Sequence, residues 1–256
     1  MKSNKLHIER LKQNFLKGEI ISRSRLYDFY KKKEPDTTSV NINWRIHSLL
    51  KYHILERIGR GKYIITDRHN FIPEISGEIK IIYDKLKTEF PFLDSCIWNN
   101  SLFNEFMLHQ PGKFFHLVEV DREAVESVFR LFKENNYNAY LEPDSEIFDR
   151  YISYETEPII IKSLTTEAPL QKISGVITVT LEKILVDIFC DKVIFMSQQE
   201  PELERIYIEA FEKYVINEDK LLRYAGRRGK KSEIFKYISS LKNRNVKTIM
   251  NIVSYD

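Results

Sequence analysis

The chain has 256 residues, of which 43% are hydrophobic and 30% charged, with only 8 Gly and 8 Pro. This composition excludes disordered, collagen-like and low-complexity proteins, and the length suffices for two domains of ordinary size. No apolar run approaches the roughly 18 residues that a membrane span needs, and the start MKSNKLHIERLKQNF lacks the apolar core of a signal peptide. Cys96 and Cys190 lie far apart inside apolar runs, which favours buried thiols over a disulfide or a metal pair. We therefore expect a cytoplasmic protein.

Charge is distributed unevenly along the chain, although the net charge is only +3. Residues 1–70 contain 16 Lys and Arg against 7 Asp and Glu, residues 71–219 contain 14 against 28, and residues 220–256 contain 10 against 2. Two basic ends around an acidic middle indicate that the ends meet an anionic partner.

Three helices are predicted at the start of the chain. The apolar spacing places the first over residues 5–16 and the second over Ser22–Lys33, and Pro35 ends the second pattern. The third helix starts at a cap on Ser39 or on one of the threonines before it. Its apolar stripe consists of the residues at i, i+4, i+7 and i+8, which are Ile42, Ile46, Leu49 and Leu50.

The opposite face of the third helix and its flanks carry polar, basic and aromatic residues. Amides, an imidazole, a guanidinium and a large ring can all reach the base edges or the phosphates of DNA. The residues that we expect to contact DNA from this helix are Ser39, Asn41, Asn43, Trp44, Arg45, His47, Ser48 and Lys51.

A short two-stranded hairpin follows the third helix at once. Two apolar runs flank the turn GRGK, residues 59–62, whose glycines allow positive backbone angles. This layout predicts a winged helix-turn-helix that binds DNA. Two alternatives stay open: a helix-hairpin unit whose charges are merely solvated, and a winged helix that docks on proteins. The residues at which the wing would touch the DNA backbone are Arg57, Arg60 and Lys62.

A polar connector, residues 66–78, leads into a region of alternating helices and strands. Its predicted helices are Ile79–Phe90, Leu102–Leu108, Asp121–Lys133 and Ser145–Tyr151, and its predicted strands are Leu93–Trp98, Phe114–Val120, Ala139–Leu141 and Pro158–Leu164. From Thr180 the pattern becomes helical. We therefore expect a winged helix at 1–70, followed by a mixed α/β domain at 71–256 with a helical, basic C-terminal part. The fold class is α/β, and α+β overall.

Known catalytic and metal-binding motifs do not occur in the sequence. There is no phosphate-binding glycine loop, dinucleotide fingerprint, nucleophile elbow or His-Glu-x-x-His, and the six histidines have no metal-ligand spacing. Asp187 and Asp191, at i and i+4, share a helix face that could bind a cation, but a solvated face is the favoured interpretation. Lys162 ends a strand without the carboxylate that a restriction-nuclease-like site needs, in spite of Glu142, Asp144 and Glu157. We expect no enzyme, no metal and no cofactor.

A second glycine-flanked basic turn lies in LLRYAGRRGKKSEIF, residues 221–235. Cations on exposed turns release counterions from nucleic acids, so phosphate contact is one interpretation. Docking to an acidic protein and a merely solvated helix junction are the others. The cations concerned are Arg223, Arg227, Arg228, Lys230 and Lys231.

Several segments of the chain also match a known pattern. They are NWRIHSLLKYHILERIGRGKYII, SCIWNNSLFNEFMLHQPGKFFHLVEVDREAVESVF, TEAPLQ, TLEKILVDIFCD at 180–191 and NEDKLLRYAGRRGK at 217–230. In these segments the chain resembles the AbiEi-like antitoxins of type IV toxin–antitoxin systems, which act in abortive infection of bacteria. The last two segments are the most discriminating, because many regulators contain a winged helix.

The resemblance implies an N-terminal winged helix that binds inverted repeats of double-stranded DNA in the system's own promoter and represses it. It implies an α/β domain that supports antitoxin activity against a nucleotidyltransferase-like toxin, with which a stable complex need not form. It assigns DNA contacts to Asn41, Asn43, Trp44, Arg45 and His47 of the helix and to Arg57, Arg60 and Lys62 of the hairpin. The basic turn matches the family's basic C-terminal motif. The alternatives are a nuclease or nucleotidyltransferase with a winged-helix reader, and a protein-docking module. A monomer and a dimer on DNA both stay open.

Overall fold

The computed structural model describes residues 6–16, 19–66 and 68–253, with side chains described up to Lys242 apart from Ile58. Within these residues, no helix has both the length and the apolar character that crossing a membrane requires.

The chain divides into two compact units. Unit 1 comprises Met1–Asn70 with Lys213–Val215, and unit 2 comprises Phe71–Glu212 with Ile216–Asp256. Each unit has a hydrophobic core of its own.

Unit 1 combines helices with short strands in its described part. The elements are α1 (Ile8–Asn14), β1 (Ile21–Ser22), α2 (Arg23–Lys31), α3 (Ser39–Lys51), β2 (Leu55–Gly59) and β3 (Lys62–Ile65). The strand pairs are antiparallel, and β3 lies between β1 and β2. The helix predicted over residues 5–16 is shorter, because the backbone is extended again at Phe15, and Lys5 lies outside the described residues.

Side-chain caps fix the starts of α2 and α3. Ser22 Oγ accepts a hydrogen bond from the backbone N–H of Arg25 (3.2 Å), and Thr38 Oγ1 accepts one from that of Asn41 (3.3 Å). The cap of α3 is therefore Thr38, and Ser39 is its first residue. The apolar sides of the helices and of the sheet meet in one core, formed by Leu6, Leu11, Phe15, Ile21, Leu26, Phe29, Tyr30, Ile42, Ile46, Leu49, Leu55, Tyr63 and Ile65.

Unit 2 is built on a four-stranded sheet with the spatial order β4-β5-β7-β6, in which β5, β7 and β6 run parallel and β4 runs antiparallel to β5. The strands of this unit are β4 (Ser95–Asn99), β5 (His116–Val120), β6 (Ala139–Leu141), β7 (Ile159–Ser163) and the hairpin β8 (Leu170–Ile173) and β9 (Val176–Val179). Its helices are α4 (Gly77–Glu89), α5 (Val125–Glu134), α6 (Ser145–Arg150), α7 (Leu181–Cys190), α8 (Glu202–Lys213), α9 (Glu218–Arg227) and α10 (Lys231–Val253).

The predicted α/β fold class is confirmed, whereas the winged-helix assignment stays a prediction. Every residue of β4 and β5 is buried, as expected for strands covered on both faces. One local prediction is wrong, and one hairpin is missing from the predictions. The helix expected at Leu102–Leu108 is a short 3-10 helix at Asn100–Phe103, and the hairpin β8–β9 is not among the predicted elements. A signal for that hairpin was present, because Ser174 and Gly175 form a tight turn with positive φ angles.

The two cysteines are free thiols. Cys96 is buried in β4, as predicted, whereas Cys190 at the end of α7 is only half-buried. Desolvation still raises the pKa of the Cys190 thiol to about 11, so it is not an activated nucleophile at neutral pH.

Candidate functional site

The outer side of α3 presents a row of polar and aromatic side chains. Asn41, Asn43, Trp44, His47 and Lys51 are all exposed, and Trp44 keeps 47% of its full accessibility. Their spacing places them on the side of the helix opposite the buried apolar stripe. The first residue of the helix is exposed as well. This row is the part of the predicted DNA-contacting set that the structure leaves accessible on α3.

The turn of the hairpin lies next to this row. Arg23, the first residue of α2, donates from Nε (3.2 Å) and Nη2 (3.0 Å) to Asn43 Oδ1, and from its backbone N–H to the carbonyl of Gly61 (2.9 Å). Arg60 and Lys62 are exposed on that turn, where Gly61 has a positive φ of 70° that glycine adopts without strain. Arg23 therefore joins the outer side of α3 to the turn. Sequence reasoning missed it, although a basic residue directly after the cap was visible.

We call this surface the α3–hairpin face. Arg57 lies at its edge, exposed, with its Nε donating to the Gly59 carbonyl at 3.2 Å. The face includes four cations and no carboxylate, so its potential is positive and suited to an anion. It is formed by Arg23, Asn41, Asn43, Trp44, His47, Lys51, Arg60 and Lys62.

Arg45 and Ser48 do not lie on the α3–hairpin face. The Arg45 guanidinium packs over the Tyr30 ring, 4.4 Å from its centroid, and its Nη2 donates to Glu34. His7 Nε2 lies 3.0 Å from the other Glu34 oxygen. The hydrogen bond from Arg45, and then that from His7, lowers the pKa of the Glu34 carboxyl. Because both Arg45 and Ser48 are buried, the expectation that they contact DNA is corrected.

The cations of the second basic turn differ in their surroundings. Arg227 pairs with Glu167, and Lys230 Nζ donates to Glu233 Oε1 at 2.9 Å. Arg223 and Lys231 are exposed. Arg228 turns inward and is largely buried, which corrects the expectation that it contacts phosphate from an exposed turn.

Unit 2 contains a group of buried charged side chains. Lys183 on α7 donates to both carboxylate oxygens of Glu119 on β5 (2.6 and 2.8 Å) and to Asp187 Oδ2 (2.5 Å). These three side chains are almost completely inaccessible to solvent. Trp98 Nε1 also donates to Glu119 (2.8 Å), and the Tyr224 hydroxyl donates to Asp187 Oδ1 (2.8 Å). Each carboxylate thus has several donors, which is what makes a buried charge tolerable.

Arg228 extends this group toward the surface. It donates from Nη1 to Asp187 Oδ1 (2.7 Å) and from Nη2 to Asp191 Oδ1 (2.5 Å), and Lys162 donates to Asp191 Oδ2. Burial raises the pKa of Asp191, but the two cations outweigh it and hold that pKa below its ordinary value. The expectation of a solvated face at Asp187 and Asp191 is therefore wrong, because their shared cation is the Arg228 guanidinium. We call the six residues the charge network: Glu119, Lys162, Lys183, Asp187, Asp191 and Arg228.

The residues weighed for a nuclease-like site do not converge. Lys162 is committed to the charge network. Glu142 accepts hydrogen bonds from the backbone N–H (3.1 Å) and the hydroxyl (3.0 Å) of Ser163, and Asp144 caps α6. The structure gives these groups separate roles in local structure.

A cavity of about 460 Å³ in unit 2 brings together residues that the sequence keeps apart. His116, the first residue of β5, is buried, with its Nδ1 facing the Asn99 amide nitrogen (3.3 Å) and its Nε2 3.7 Å from Glu78 Oε2. One ligand atom each of Glu78, His116 and Glu157 lies within 4.8 Å of the others. Desolvation lowers the pKa of His116, and a hydrogen bond to Glu78 raises the pKa of Glu157. Neighbouring residues of this set are 38 and 41 positions apart, so a search for local spacing cannot find it.

Comparison with known protein families gives a match that covers most of the chain. Residues 41–244 match DUF6577, described as a family of unknown function. The match includes α3 from Asn41 onward, the hairpin and nearly all of unit 2. No curated protein matches the chain. The chain therefore belongs to DUF6577, a family of unknown function.

Proposed function

We propose that the chain is a sequence-selective double-stranded DNA-binding protein whose unit 1 acts as a winged helix-turn-helix. The order α1-β1-α2-α3-β2-β3, with a three-stranded antiparallel sheet and a hairpin directly after α3, supports this proposal. In such a fold the helix before the hairpin enters the major groove and the hairpin touches the backbone.

The observation that carries the proposal is the continuity of the α3–hairpin face. The side chain of Arg23 contacts Asn43 on α3, and its backbone contacts the turn that presents Arg60 and Lys62. Asn41 and Asn43 are amides suited to base edges, whereas Arg23, Arg60 and Lys62 are suited to phosphates. Groups for reading bases and groups for holding the backbone are thus side by side on one surface.

A more specific proposal follows from the resemblance to AbiEi-like antitoxins. We propose that the protein represses its own promoter and counters a nucleotidyltransferase-like toxin. The two most discriminating segments of that resemblance, residues 180–191 and 217–230, supply four of the six members of the charge network. The resemblance of these two segments to the antitoxins can therefore be explained by their role in the core of unit 2. For this reason the antitoxin activity needs a separate test.

DNA binding is tested by fluorescence anisotropy of the full-length protein against the duplex upstream of its own gene, with scrambled duplex as the competitor. We expect log affinity to fall linearly with log salt, with a slope near −0.9 for each phosphate contact. Arg60→Ala and Lys62→Ala should each reduce that slope by about 0.9 and weaken binding to both duplexes alike. Asn41→Ala should instead reduce the discrimination between the duplexes by about 1–3 kcal/mol.

Lys172→Ala is the matched control, because Lys172 is an exposed cation on β8 of unit 2. It should change neither the slope nor the discrimination. Equal affinity for both duplexes in the wild type would overturn sequence selectivity. An Arg60→Ala, Lys62→Ala double variant with an unchanged slope would overturn the placement of DNA on the α3–hairpin face.

Antitoxin activity is tested by co-expression with the gene next to its own, which the proposal expects to encode a nucleotidyltransferase-like toxin, and is read as growth. We expect the wild type to restore growth. The Arg60→Ala, Lys62→Ala double variant should restore it as well when expressed from a foreign promoter, since the resemblance assigns antitoxin activity to the α/β domain. Failure of the wild type to restore growth would reject the antitoxin proposal and leave DNA binding standing.

A further inference from the structure

We propose that Glu78, His116 and Glu157 form a binding site for a divalent metal ion in unit 2. The inference is independent of DNA binding. It starts from three potential ligand atoms, one nitrogen and two carboxylate oxygens, that lie within 4.8 Å of one another. Ligands at about 2.0–2.2 Å from a tetrahedral zinc ion are about 3.4 Å apart. The observed 3.7 Å between His116 Nε2 and Glu78 Oε2 is close to that separation.

The strand pairing of the sheet fixes two of the three groups. The backbone N–H of His116 donates to the Pro158 carbonyl (2.9 Å), and His116 is the register partner of Ile159 in the parallel pair β5–β7. Glu157, next to Pro158, is therefore held beside the imidazole by the backbone. Glu157 also has a φ of 50°, a left-handed conformation that is unfavourable for a residue other than glycine and that recurs at functional sites.

The third group comes from the start of α4. Ser76 Oγ accepts a hydrogen bond from the backbone N–H of Ile79 (3.2 Å) and so fixes the first turn of the helix. Glu78 lies in that turn, and its side chain is 56% exposed, so it can adjust to an ion. The sheet thus fixes His116 and the backbone beside Glu157, while the exposed Glu78 side chain can close on the metal.

The surroundings favour a cation. Four glutamates line the cavity, namely Glu74, Glu78, Glu105 and Glu157, and none of the described residues that line it is Lys or Arg. Asn104 also lines it, and its Oδ1 is buried with no hydrogen-bond partner among the described side chains and backbone. A buried amide oxygen without a donor is a further potential ligand for a cation.

The mixture of imidazole nitrogen and carboxylate oxygens selects the class of metal. Calcium and magnesium sites are built from oxygen alone, whereas zinc and manganese accept this mixture. We therefore expect Zn²⁺ to bind more tightly than Mg²⁺. A zinc ion held by His116 and the two glutamates would have room for a water or for another oxygen ligand in the cavity.

Asn99 gives the site a property that can be tested. A ligating histidine needs its other ring nitrogen protonated and facing an acceptor. Asn99 now presents Nδ2 to His116 Nδ1, while Asn99 Oδ1 accepts from the backbone N–H of Ser101 (2.8 Å). Metal binding would require the amide to turn over and to release Ser101. An aspartate at this position offers an oxygen to both groups without turning, so Asn99→Asp should strengthen metal binding.

The experiment is a calorimetric titration of untagged, EDTA-treated full-length protein with Zn²⁺, paired with the visible spectrum of bound Co²⁺. The wild type should bind one ion. Glu78→Gln and Glu157→Gln, which change exposed side chains and preserve their size, should each weaken binding at least about ten-fold, and Asn99→Asp should tighten it about ten-fold or more. Glu74→Gln is the matched control in the same cavity and should leave the affinity within about two-fold of the wild type.

Two outcomes would overturn the proposal. One is a wild type that binds no Zn²⁺ at millimolar concentration. The other is binding that Glu78→Gln, Glu157→Gln and Glu74→Gln weaken to the same small extent, which would mean adventitious binding to surface groups. Circular dichroism of each variant is recorded alongside, and only variants with the spectrum of the wild type are compared, so that a loss of binding cannot come from unfolding.

Discussion

Replacement of Lys183 by Met tests how the charge network holds unit 2 together. The Lys183 side chain is fully inaccessible and donates to two carboxylates, those of Glu119 and Asp187. Methionine has a similar length and no charge, so Lys183→Met removes the charge without opening a large cavity. The two carboxylates then remain in the interior with fewer donors, which is the costly part of the change.

The remaining partners determine where the cost falls. Asp187 keeps hydrogen bonds from the Tyr224 hydroxyl (2.8 Å) and from Arg228 Nη1 (2.7 Å), so its charge stays compensated. Glu119 keeps only the indole N–H of Trp98 (2.8 Å) among the described side-chain donors. Removing one partner of a buried ion pair costs about 3–5 kcal/mol. We assign most of that loss to the uncompensated charge on Glu119.

Second substitutions test this assignment. Lys183→Met with Glu119→Gln should recover most of the lost free energy of unfolding, because a neutral amide removes the uncompensated charge and still accepts from Trp98. Lys183→Met with Asp187→Asn should recover none, because Glu119 stays uncompensated and Arg228 loses a carboxylate partner. The two double variants therefore separate the charge on one carboxylate from a general loss of packing.

The assay is urea unfolding of the full-length protein in a Trp44→Phe background. Trp98 is then the only tryptophan, and its ring stacks on Phe195 inside unit 2, with centroids 5.7 Å apart. Its fluorescence therefore reports the unfolding of unit 2. In the Lys183→Met protein, Glu119→Gln and Asp187→Asn should differ in how much stability they restore. If they restored it equally, or if neither did, the assignment of the lost free energy of unfolding to the charge on Glu119 would be refuted.

Two further predictions concern Arg45 and Asp191. Arg45→Met should lower the free energy of unfolding by about 1–3 kcal/mol, since it removes a charged hydrogen bond and a cation–π contact and leaves Glu34 partly exposed beside His7. It should leave the salt slope of DNA binding unchanged, and a reduced slope with unchanged stability would return Arg45 to the DNA interface. Because the pKa of Asp191 is lowered on folding, its stabilising contribution is present above the unfolded value of about 3.9 and is lost as pH falls through the folded pKa. Urea titrations should thus show Asp191→Asn less stable than the wild type at pH 7, with a difference that shrinks as pH falls below about 3.9, whereas a constant difference would contradict the ion-pair explanation.

Unit 1 could be predicted from the sequence because its signals are local. Caps at Ser22 and Thr38, a helical apolar stripe and the glycines around Arg60 each act within a few residues. The error at Arg45 has an equally local cause. Position 45 lies three residues after Ile42, on the buried side of α3, but a guanidinium is normally counted as a surface group. The sequence shows the side of the helix and does not show that Tyr30 and Glu34 accommodate the charge there.

The charge network could not be predicted, because all of its pairings except Lys183–Asp187 join distant parts of the chain. Lys183 and Glu119 are 64 residues apart, and Arg228 and Asp187 are 41 apart. Until β5, α7 and α9 are packed together, each of these residues looks like an ordinary charged surface group. The same holds for the cavity of His116, since only the register of β5 and β7 brings Glu157 next to the ring.

The two glycine-flanked basic turns show what determines whether a cation has a structural role or is available to bind phosphate. In sequence the turns around Arg60 and around Arg228 are nearly equivalent candidates for phosphate contact. In the folded chain Arg228 pairs with Asp187 on α7 and with Asp191 directly after that helix. These two carboxylates raise the pKa of Arg228, although burial alone would lower it. Arg60 is exposed, and within the described part of the chain it pairs with no carboxylate. A cation already neutralised inside its own unit gains little from a phosphate, whereas an exposed one retains its full electrostatic attraction and releases counterions on binding. The distribution of carboxylates therefore supports the proposed DNA contact at the hairpin turn and gives Arg228 an internal structural role.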